Sequence, residues 1–158
     1  NHLTKKEFLS IFGNIFEKSD WIADEVFNFK PFKDSNDLIM KMMNIYENSK
    51  DEMIIKIFNL HPQLAIEKTL TSFSSKEQTG AKLNDCSKEE LEEFKRLNAD
   101  YKKKFGFPFI IAVKGKNRSE ILNNFRHRIK NNSKTEFDEA KIQVKKIALA
   151  RLEEIFEI

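Results

Sequence analysis

The sequence predicts an all-α protein, a single compact multi-helix domain over residues 1–158 with one buried extended segment at about residues 105–113. Only four glycines and three prolines interrupt the chain, which are too few turn signals for an all-β fold. Apolar residues recur at helical spacing through most of the sequence. In addition, Ser or Thr followed three residues later by Glu marks several helix starts.

Three helices are predicted in the first 47 residues. Thr4 and Glu7 have the spacing of a capping box, so the first helix should begin there. Asp20 is the expected cap of a short helix over residues 21–27, and Ser35 the expected cap of the third. The apolar residues of the first helix are Phe8, Ile11, Phe12, Ile15 and Phe16, and those of the third are Leu38, Met42, Ile45 and Tyr46.

Two further helices are predicted in the middle of the chain. Ser49 and Glu52 form another capping box before an apolar helix. That helix should end at His61, because the residue before a proline is disfavoured in the helical region. Ser74 and Glu77 repeat the capping-box spacing and predict a short helix.

The last third of the chain predicts three amphipathic helices. Ser87 and Glu90 form a capping box, Ser119 is the expected start of the next helix, and the last begins at about Thr135 after the polar residues 131–133. Their apolar faces are Leu91, Phe94, Leu97 and Tyr101, then Ile121, Leu122, Phe125 and Ile129, then Phe137, Ala140, Val144, Ile147, Ala148, Leu152 and Ile155.

Residues 105–113 form the most apolar run of the chain and should be extended. No second segment has strand composition, so side chains, helix ends, water or a ligand must satisfy the backbone of this segment. A buried extended segment could be the wall of a pocket for a planar ligand with amide-like edges. The alternative is a hydrophobic plug that joins two helices.

Composition limits the possible classes of protein. The net charge of +3 is too small to imply nucleic-acid binding by itself, and no apolar run approaches the roughly 20 residues of a membrane span. Cys86 is the single cysteine, which excludes an intramolecular disulfide and a Cys/His metal cluster and favours a reducing compartment. With no signal peptide apparent and no peroxisomal signal at residues 156–158, the cytoplasm is the expected location.

His61 and Glu77 are the best candidates for chemistry, since an imidazole and a carboxylate suffice for proton transfer near neutral pH. The other histidines are His2, near the start of the sequence, and His127, between two arginines. Each candidate also has an ordinary structural explanation. His61 could be a solvated histidine at a helix C-terminus, and Glu77 could simply complete a capping box.

Arg151 lies on the apolar stripe of the last helix, three residues after Ala148. A buried arginine needs an anionic partner. Glu77 and a substrate carboxylate are the candidate partners. Alternatively, its stem packs on the core while its guanidinium reaches water.

Three blocks of sequence carry a resemblance to a known family. They are His61-Pro62-Gln63-Leu64-Ala65, then Ser74-Ser75-Lys76-Glu77-Gln78-Thr79-Gly80-Ala81, then Leu97-Asn98 with Tyr101, Lys104 and the run from Phe105 to Gly115. In this order the blocks resemble the 2-oxo-4-hydroxy-4-carboxy-5-ureidoimidazoline (OHCU) decarboxylase family of urate breakdown. Ile66, Glu67 and Lys82 depart from the family pattern and bear on the shape of the pocket rim.

The resemblance implies an all-helical, usually homodimeric enzyme that uses no cofactor and no metal. His61 would be the catalytic acid/base, with Glu77 beside it. The anionic ureidoimidazoline substrate would be bound by Pro62, Ser74, Gln78, Arg151 and the backbone of Phe109, Ile110, Ile111, Ala112 and Val113. The product would be (S)-allantoin.

Two other functions remain open from the sequence. The basic bias of residues 95–134 could serve a non-catalytic helical module that binds nucleic acid or a protein, with Phe107 and Phe109 as possible stacking residues. The absence of recognised nucleic-acid motifs makes nucleic acid the less favoured partner. A lyase or hydrolase of the same fold could instead act on a related ureido compound.

Overall fold

A computed structural model of the protein describes residues 1–67 and 69–158. Over these residues the structure has eight helices and no strand, which confirms the predicted all-α class. The helices are α1 (Lys5–Phe12), α2 (Trp21–Phe27), α3 (Ser35–Glu47), α4 (Asp51–Leu60), α5 (Ser72–Gly80), α6 (Lys88–Phe105), α7 (Arg118–Arg128) and α8 (Ser133–Phe156). None of these helices is long and apolar enough to cross a membrane.

The chain forms two compact units. The first, here called the terminal unit, contains Asn1–Leu60 and Lys145–Ile158, and the second, the central unit, contains His61–Val144. Helix α8 contributes residues to both. The prediction of one domain over residues 1–158 stays a prediction.

The terminal unit has a phenylalanine-rich core. The ring of Phe8 packs against the ring of Phe12 at 4.7 Å between centroids and edge-on against Phe27 at 5.4 Å. Phe16 stacks on Tyr46, and both are buried. Helix α1 ends at Phe12, earlier than the apolar pattern predicted, so Phe16 reaches the core from the turn that follows the helix.

The central unit is built around the contact of α6 with α7. Tyr101 of α6 and Phe125 of α7 are fully buried, and their rings meet edge-on at 5.8 Å between centroids. The ring of Phe109 stacks on that of Phe125 at 3.8 Å. The apolar stripes of these two helices therefore enclose part of the predicted extended segment.

The predicted capping box at the start of α6 is confirmed, whereas at the start of α1 only the bond to the Thr4 side chain forms. The Thr4 hydroxyl accepts a hydrogen bond from the Glu7 N–H at 3.2 Å. At the start of α6 the bonds between Ser87 and Glu90 form in both directions, at 3.1 and 2.9 Å. Both caps satisfy a backbone donor that the first turn of a helix leaves unpaired.

Other predicted helix starts were wrong by one or two residues. Asp34, rather than Ser35, caps α3, because its carboxylate accepts from the Asp37 N–H at 2.8 Å. Asn117, rather than Ser119, caps α7 in the same way. Helix α8 begins at Ser133 instead of Thr135.

The caps predicted for Asp20 and Ser49 do not form either. Asp20 has helical backbone angles and makes no side-chain cap bond to α2. The Ser49 hydroxyl donates back to the Ile45 carbonyl at 2.7 Å, so it belongs to the end of α3 rather than to the start of α4. Short polar side chains can serve either end of a helix, and spacing alone does not choose between them.

Candidate functional site

His61 lies in the central unit, directly after the last residue of α4. The helix ends at Leu60, where the proline at position 62 predicted its end. The His61 side chain is only 8% exposed, so the interpretation as a solvated helix-end histidine is wrong. Pro62 is half-buried beside it.

Helix α5 carries the other polar candidates. It begins at Ser72, and the hydroxyl of Thr71 accepts from the Ser74 N–H at 3.3 Å. The predicted Ser74–Glu77 capping box is therefore wrong, because Thr71 already caps the helix. Glu77 lies in the middle of α5, so helix capping does not explain this glutamate.

Ser74, Glu77 and Gln78 lie on one face of α5, since residues three and four apart in a helix are neighbours. Ser74 and Gln78 are buried, and Glu77 is half-buried. The structure thus places the three predicted polar site residues of this helix side by side.

A hydrogen bond links this face to the chain that follows His61. The Ala65 N–H donates to Gln78 Oε1 at 3.1 Å. On the other side of the same peptide unit, Asn98 Nδ2 of α6 donates to the Leu64 carbonyl at 3.0 Å. The His-Pro motif and the helix that carries Glu77 are therefore connected through one peptide.

The predicted extended segment is present and begins slightly later than expected. Phe105 still belongs to α6, and Gly106, with φ of +81°, ends that helix in the left-handed conformation. Residues 107–113 form neither helix nor strand. All of them except the half-buried Ala112 are buried, and the exposure is 6% or less for Phe107, Phe109, Ile110, Ile111 and Val113.

Side chains satisfy much of the backbone of this segment. Arg128 donates to the Ile110 carbonyl at 2.6 Å, and Gln143 Oε1 accepts from the Ala112 N–H at 2.9 Å. Lys116 donates to the Ala112 carbonyl at 3.1 Å. Of the sources that the sequence left open, which were side chains, helix ends, water or a ligand, side chains supply these bonds.

Other backbone groups of the segment are not used in this way. Within residues 1–67 and 69–158, the N–H and C=O groups of Phe109 and Ile111 have no hydrogen-bond partner. Buried backbone groups normally have one. These groups are therefore suited to the amide-like edges of a ligand.

A buried network of polar and charged side chains stabilises the extended segment. Glu136, which is fully buried, receives hydrogen bonds from Tyr101 and from Arg128, the latter at 2.9 Å. Burial, and secondarily the bond to the Glu136 carboxylate, raises the pKa of Tyr101 well above its usual range. The guanidinium of Arg128 also lies 4.4 Å from the ring centre of Phe109.

Phe109 cannot act as a stacking platform for a nucleic-acid base. Phe125 stacks on its ring, Arg128 lies over it, and the side chain is 1% exposed. Phe107 is also buried, at 4% exposure. The suggestion that these two rings could bind bases is therefore wrong.

The turn after α5 is fastened by α7. Arg118 donates to the Lys82 carbonyl at 3.1 Å and to Glu90 at 3.1 Å. Lys82 has φ of +59°, a conformation that most residues avoid. Hydrogen bonds from the Ser87 N–H and from Arg118 hold the pKa of Glu90 below its usual range.

Arg151 belongs to the terminal unit and is 1% exposed, so the alternative in which its guanidinium reaches water is wrong. Its Nη2 lies 3.0 Å from Glu17 Oε2, and its Nη1 donates to the Asn14 carbonyl at 2.8 Å. The need for an anionic partner is confirmed. Glu17, which the sequence did not suggest, meets that need, whereas the sequence had suggested Glu77 or a substrate carboxylate.

Sequence reasoning did not assign a role to several residues that support the site. Asn98 and Glu136 lie on apolar stripes of their helices, and a polar residue at such a position is a usable signal. Gln143 and Arg128 give the same signal, because Gln143 lies four residues before Ile147 and Arg128 lies three residues after Phe125. In the part of the chain that the structure describes, no three His, Cys, Asp or Glu side chains are grouped as metal ligands would be.

The family model described as OHCU decarboxylase matches residues 1–153. The chain belongs to the OHCU decarboxylase family. The resemblance seen in the three sequence blocks is thereby confirmed.

Individual members of the OHCU decarboxylase family agree with this assignment. The chain is 35% identical to the 2-oxo-4-hydroxy-4-carboxy-5-ureidoimidazoline decarboxylase of Haloferax volcanii, over 99% of this chain and 93% of that protein. A crystal structure of OHCU decarboxylase in the presence of (S)-allantoin superposes with a TM-score of 0.78 at 26% identity, over 92% of this chain and 97% of the other.

Some relatives are much longer. The chain is 40% identical to the uric acid degradation bifunctional protein of Bacillus sp. (strain TB-90), over 99% of this chain and 31% of that protein. It spans the same share of the bifunctional protein PucL of Bacillus subtilis, at 37% identity. The chain thus covers about a third of the length of these two relatives.

Proposed function

We propose that the protein decarboxylates OHCU to (S)-allantoin in the breakdown of urate, without a cofactor. The observation that carries the proposal is the family match over residues 1–153. The hydrogen bond from Ala65 to Gln78 adds physical support, because it connects the chain after His61 to the helix that carries Glu77.

The substrate explains why no cofactor is required. Its carboxylate is attached to a carbon that also bears a hydroxyl group and adjoins a ring C=N bond. When carbon dioxide leaves, that C=N unit accepts the electron pair, which is the task that other decarboxylases give to a cofactor. The ring nitrogen that receives the electron pair takes up one proton from water. The hydroxyl loses its proton as its carbon becomes a carbonyl carbon, and the adjacent ring carbon gains one.

His61 is the residue proposed to move these protons. Its imidazole would take the hydroxyl proton and deliver a proton to carbon from one face, which would give a single allantoin enantiomer. Pro62 restricts the backbone beside it and so limits the angles that the imidazole can adopt. Burial of His61 supports this role, since it shields the reacting atoms from bulk water.

The remaining residues would bind and orient the substrate. Glu77 would accept hydrogen bonds from the ureido or ring N–H groups, and Ser74 and Gln78 lie on the same face of α5 to fix the register. Backbone groups of Phe109 and Ile111, together with the neighbouring Ile110, Ala112 and Val113, would bind the amide edges of the heterocycle. The assignment of Arg151 to the substrate carboxylate, made from the sequence, stays a prediction.

The His61→Asn variant tests the proposal. OHCU is generated from urate with the two preceding enzymes, and chiral allantoin is followed by circular dichroism. The wild type should form (S)-allantoin faster than the spontaneous reaction, and the variant should lose about a hundredfold or more of that acceleration, since it lacks the proton carrier.

The matched control is His127→Asn, because His127 is exposed and its ring bonds to the Asn123 carbonyl of its own helix. This control should keep wild-type turnover. Full activity in the His61 variant would contradict the assigned role, and a wild type no faster than the spontaneous reaction would contradict the proposed function.

The structure weakens the alternative of a module that binds through the basic stretch. Three of its arginines, Arg118, Arg126 and Arg128, are paired with Glu90, Glu93 and Glu136. Charges neutralised in this way contribute little to attraction of a polyanion. The alternative of a related lyase or hydrolase is tested by the same assay with other ureido substrates. A homodimer in the cytoplasm remains our expectation.

A further inference from the structure

One peptide unit in the central unit is held from both sides by buried amide side chains. Its carbonyl, from Leu64, accepts from Asn98 Nδ2 at 3.0 Å, and its N–H, from Ala65, donates to Gln78 Oε1 at 3.1 Å. Asn98 is 1% exposed and Gln78 is 6% exposed. In a trans peptide these two groups point in opposite directions, so α5 and α6 hold the peptide between them.

The peptide is held in an orientation that gives Ala65 an unfavourable backbone conformation. Ala65 has φ of +70°, in the left-handed region that residues with a Cβ disfavour. Rotation of this peptide by half a turn would bring φ to about −110°, which is an ordinary extended value. The hydrogen bonds of Asn98 and Gln78 therefore oppose a local relaxation.

The orientation of the peptide decides what Gln78 presents to its surroundings. Because Gln78 Oε1 is bonded to the Ala65 N–H, its Nε2 group points away and can donate two hydrogen bonds. Gln78 Nε2 is buried and has no hydrogen-bond partner among the described residues. A rotated peptide would offer Gln78 a carbonyl instead, and the carboxamide would turn round and present an oxygen.

We propose that Asn98 is a positioning residue for the reaction. By fixing the Leu64–Ala65 peptide, it makes Gln78 a hydrogen-bond donor toward a carbonyl or carboxylate oxygen of the ligand, and it fixes the chain that follows His61 and Pro62. The inference rests on the function proposed above. It adds a residue that touches neither the reacting atoms nor the substrate.

A double-mutant cycle tests this role, with Asn98→Asp, Gln78→Glu and the two combined. Asn98→Asp has the same shape but lacks the donor to Leu64, so kcat/KM for OHCU should fall about tenfold to a hundredfold. Gln78→Glu keeps an acceptor for Ala65 and replaces the outward donor by an oxygen, with a similar loss. Gln78→Glu presents an oxygen to the ligand whichever way the Leu64–Ala65 peptide is turned. The double variant should therefore be about as active as Gln78→Glu alone.

Losses that simply multiply in the double variant would overturn the proposal, because a purely structural Asn98 would act independently of Gln78. Asn124→Asp is the matched control. Asn124 also donates from its side chain to a backbone carbonyl, that of Glu120, but only within α7, so this control should keep wild-type kcat/KM.

Asn98→Ser, which is uncharged and too short to reach Leu64, serves as a second variant. If neither Asn98 variant folds, the residue is required for the core and the positioning role is rejected. A crystal structure of a folded variant should show the peptide rotated and the Gln78 carboxamide reversed, and an unchanged peptide would overturn the inference. The crystal structure does not depend on activity. An inactive wild type would therefore reject the proposed function but would leave the positioning of the peptide by Asn98 open to this test.

Discussion

Glu17 and Arg151 form an ion pair in which each side chain is only 1% exposed. Burial on the apolar stripe of the last helix was predictable for Arg151, and so was its need for an anion. The identity of that anion was not predictable, because Glu17 is 134 residues away in sequence and helical periodicity does not encode long-range partners.

Removal of the carboxylate should be strongly destabilising. In Glu17→Ala the Arg151 guanidinium stays buried without this carboxylate, and the free energy of unfolding should fall by about 3–5 kcal/mol. Urea denaturation measures the change. Glu47→Ala is the control, since the Lys145–Glu47 pair is 38% and 47% exposed and should contribute less than about 1 kcal/mol. Equal losses in the two variants would contradict the assignment.

The extended segment over residues 107–113 depends on side chains from two helices. The apolar composition predicted an extended segment with no neighbouring strand to bond its backbone. Side chains of α7 and α8 supply those hydrogen bonds. Arg128 binds the Ile110 carbonyl, Gln143 binds the Ala112 N–H, and Glu136 neutralises Arg128. The exact start of a helix could not be predicted from the sequence where two possible caps are neighbours. For α3, only the backbone angles of the folded chain show that Asp34, and not Ser35, is the cap.

Arg128 and Glu136 should be coupled in their effect on stability. Arg128→Met leaves the fully buried Glu136 carboxylate without its cation, so the free energy of unfolding should fall by about 3–5 kcal/mol. Adding Glu136→Gln should recover part of that loss, since the buried charge is removed. Denaturation of both variants and of Arg126→Met, whose arginine is exposed, measures the effect. A loss no larger than that of Arg126→Met would be the contradicting result.

At the scale of the whole molecule, each of the two units buries one of the two tyrosines of the chain, Tyr46 in the terminal unit and Tyr101 in the central unit. Burial raises the pKa of both hydroxyls above the ordinary value of 10.0. The folded state thus keeps both protons at pH values where the unfolded chain has lost them.

Stability should therefore decline as the pH rises above about 10. The sign follows from proton binding: the folded state holds more protons than the unfolded state in this range, so each rise in pH favours unfolding. As the pH is raised, the ultraviolet absorbance of tyrosinate should increase over the same pH range in which the helical circular dichroism signal is lost. Tyr46→Phe removes one ionisable group and should flatten the decline. A tyrosine that titrates near its ordinary pKa while the helices remain intact would refute the prediction.

The helical class, the approximate place of every helix, the extended segment and the family could be predicted from the sequence, and the catalytic roles of His61 and Glu77 stay predictions. These features depend on periodicity, turn residues and motifs, which are local and can be read along the chain. The tertiary structure decided which side chains meet: Asn98 with Leu64, Arg128 with Glu136, and Arg151 with Glu17. An apolar stripe specifies that a polar residue on it will be buried and will need a partner, but only packing brings the partner from another part of the chain.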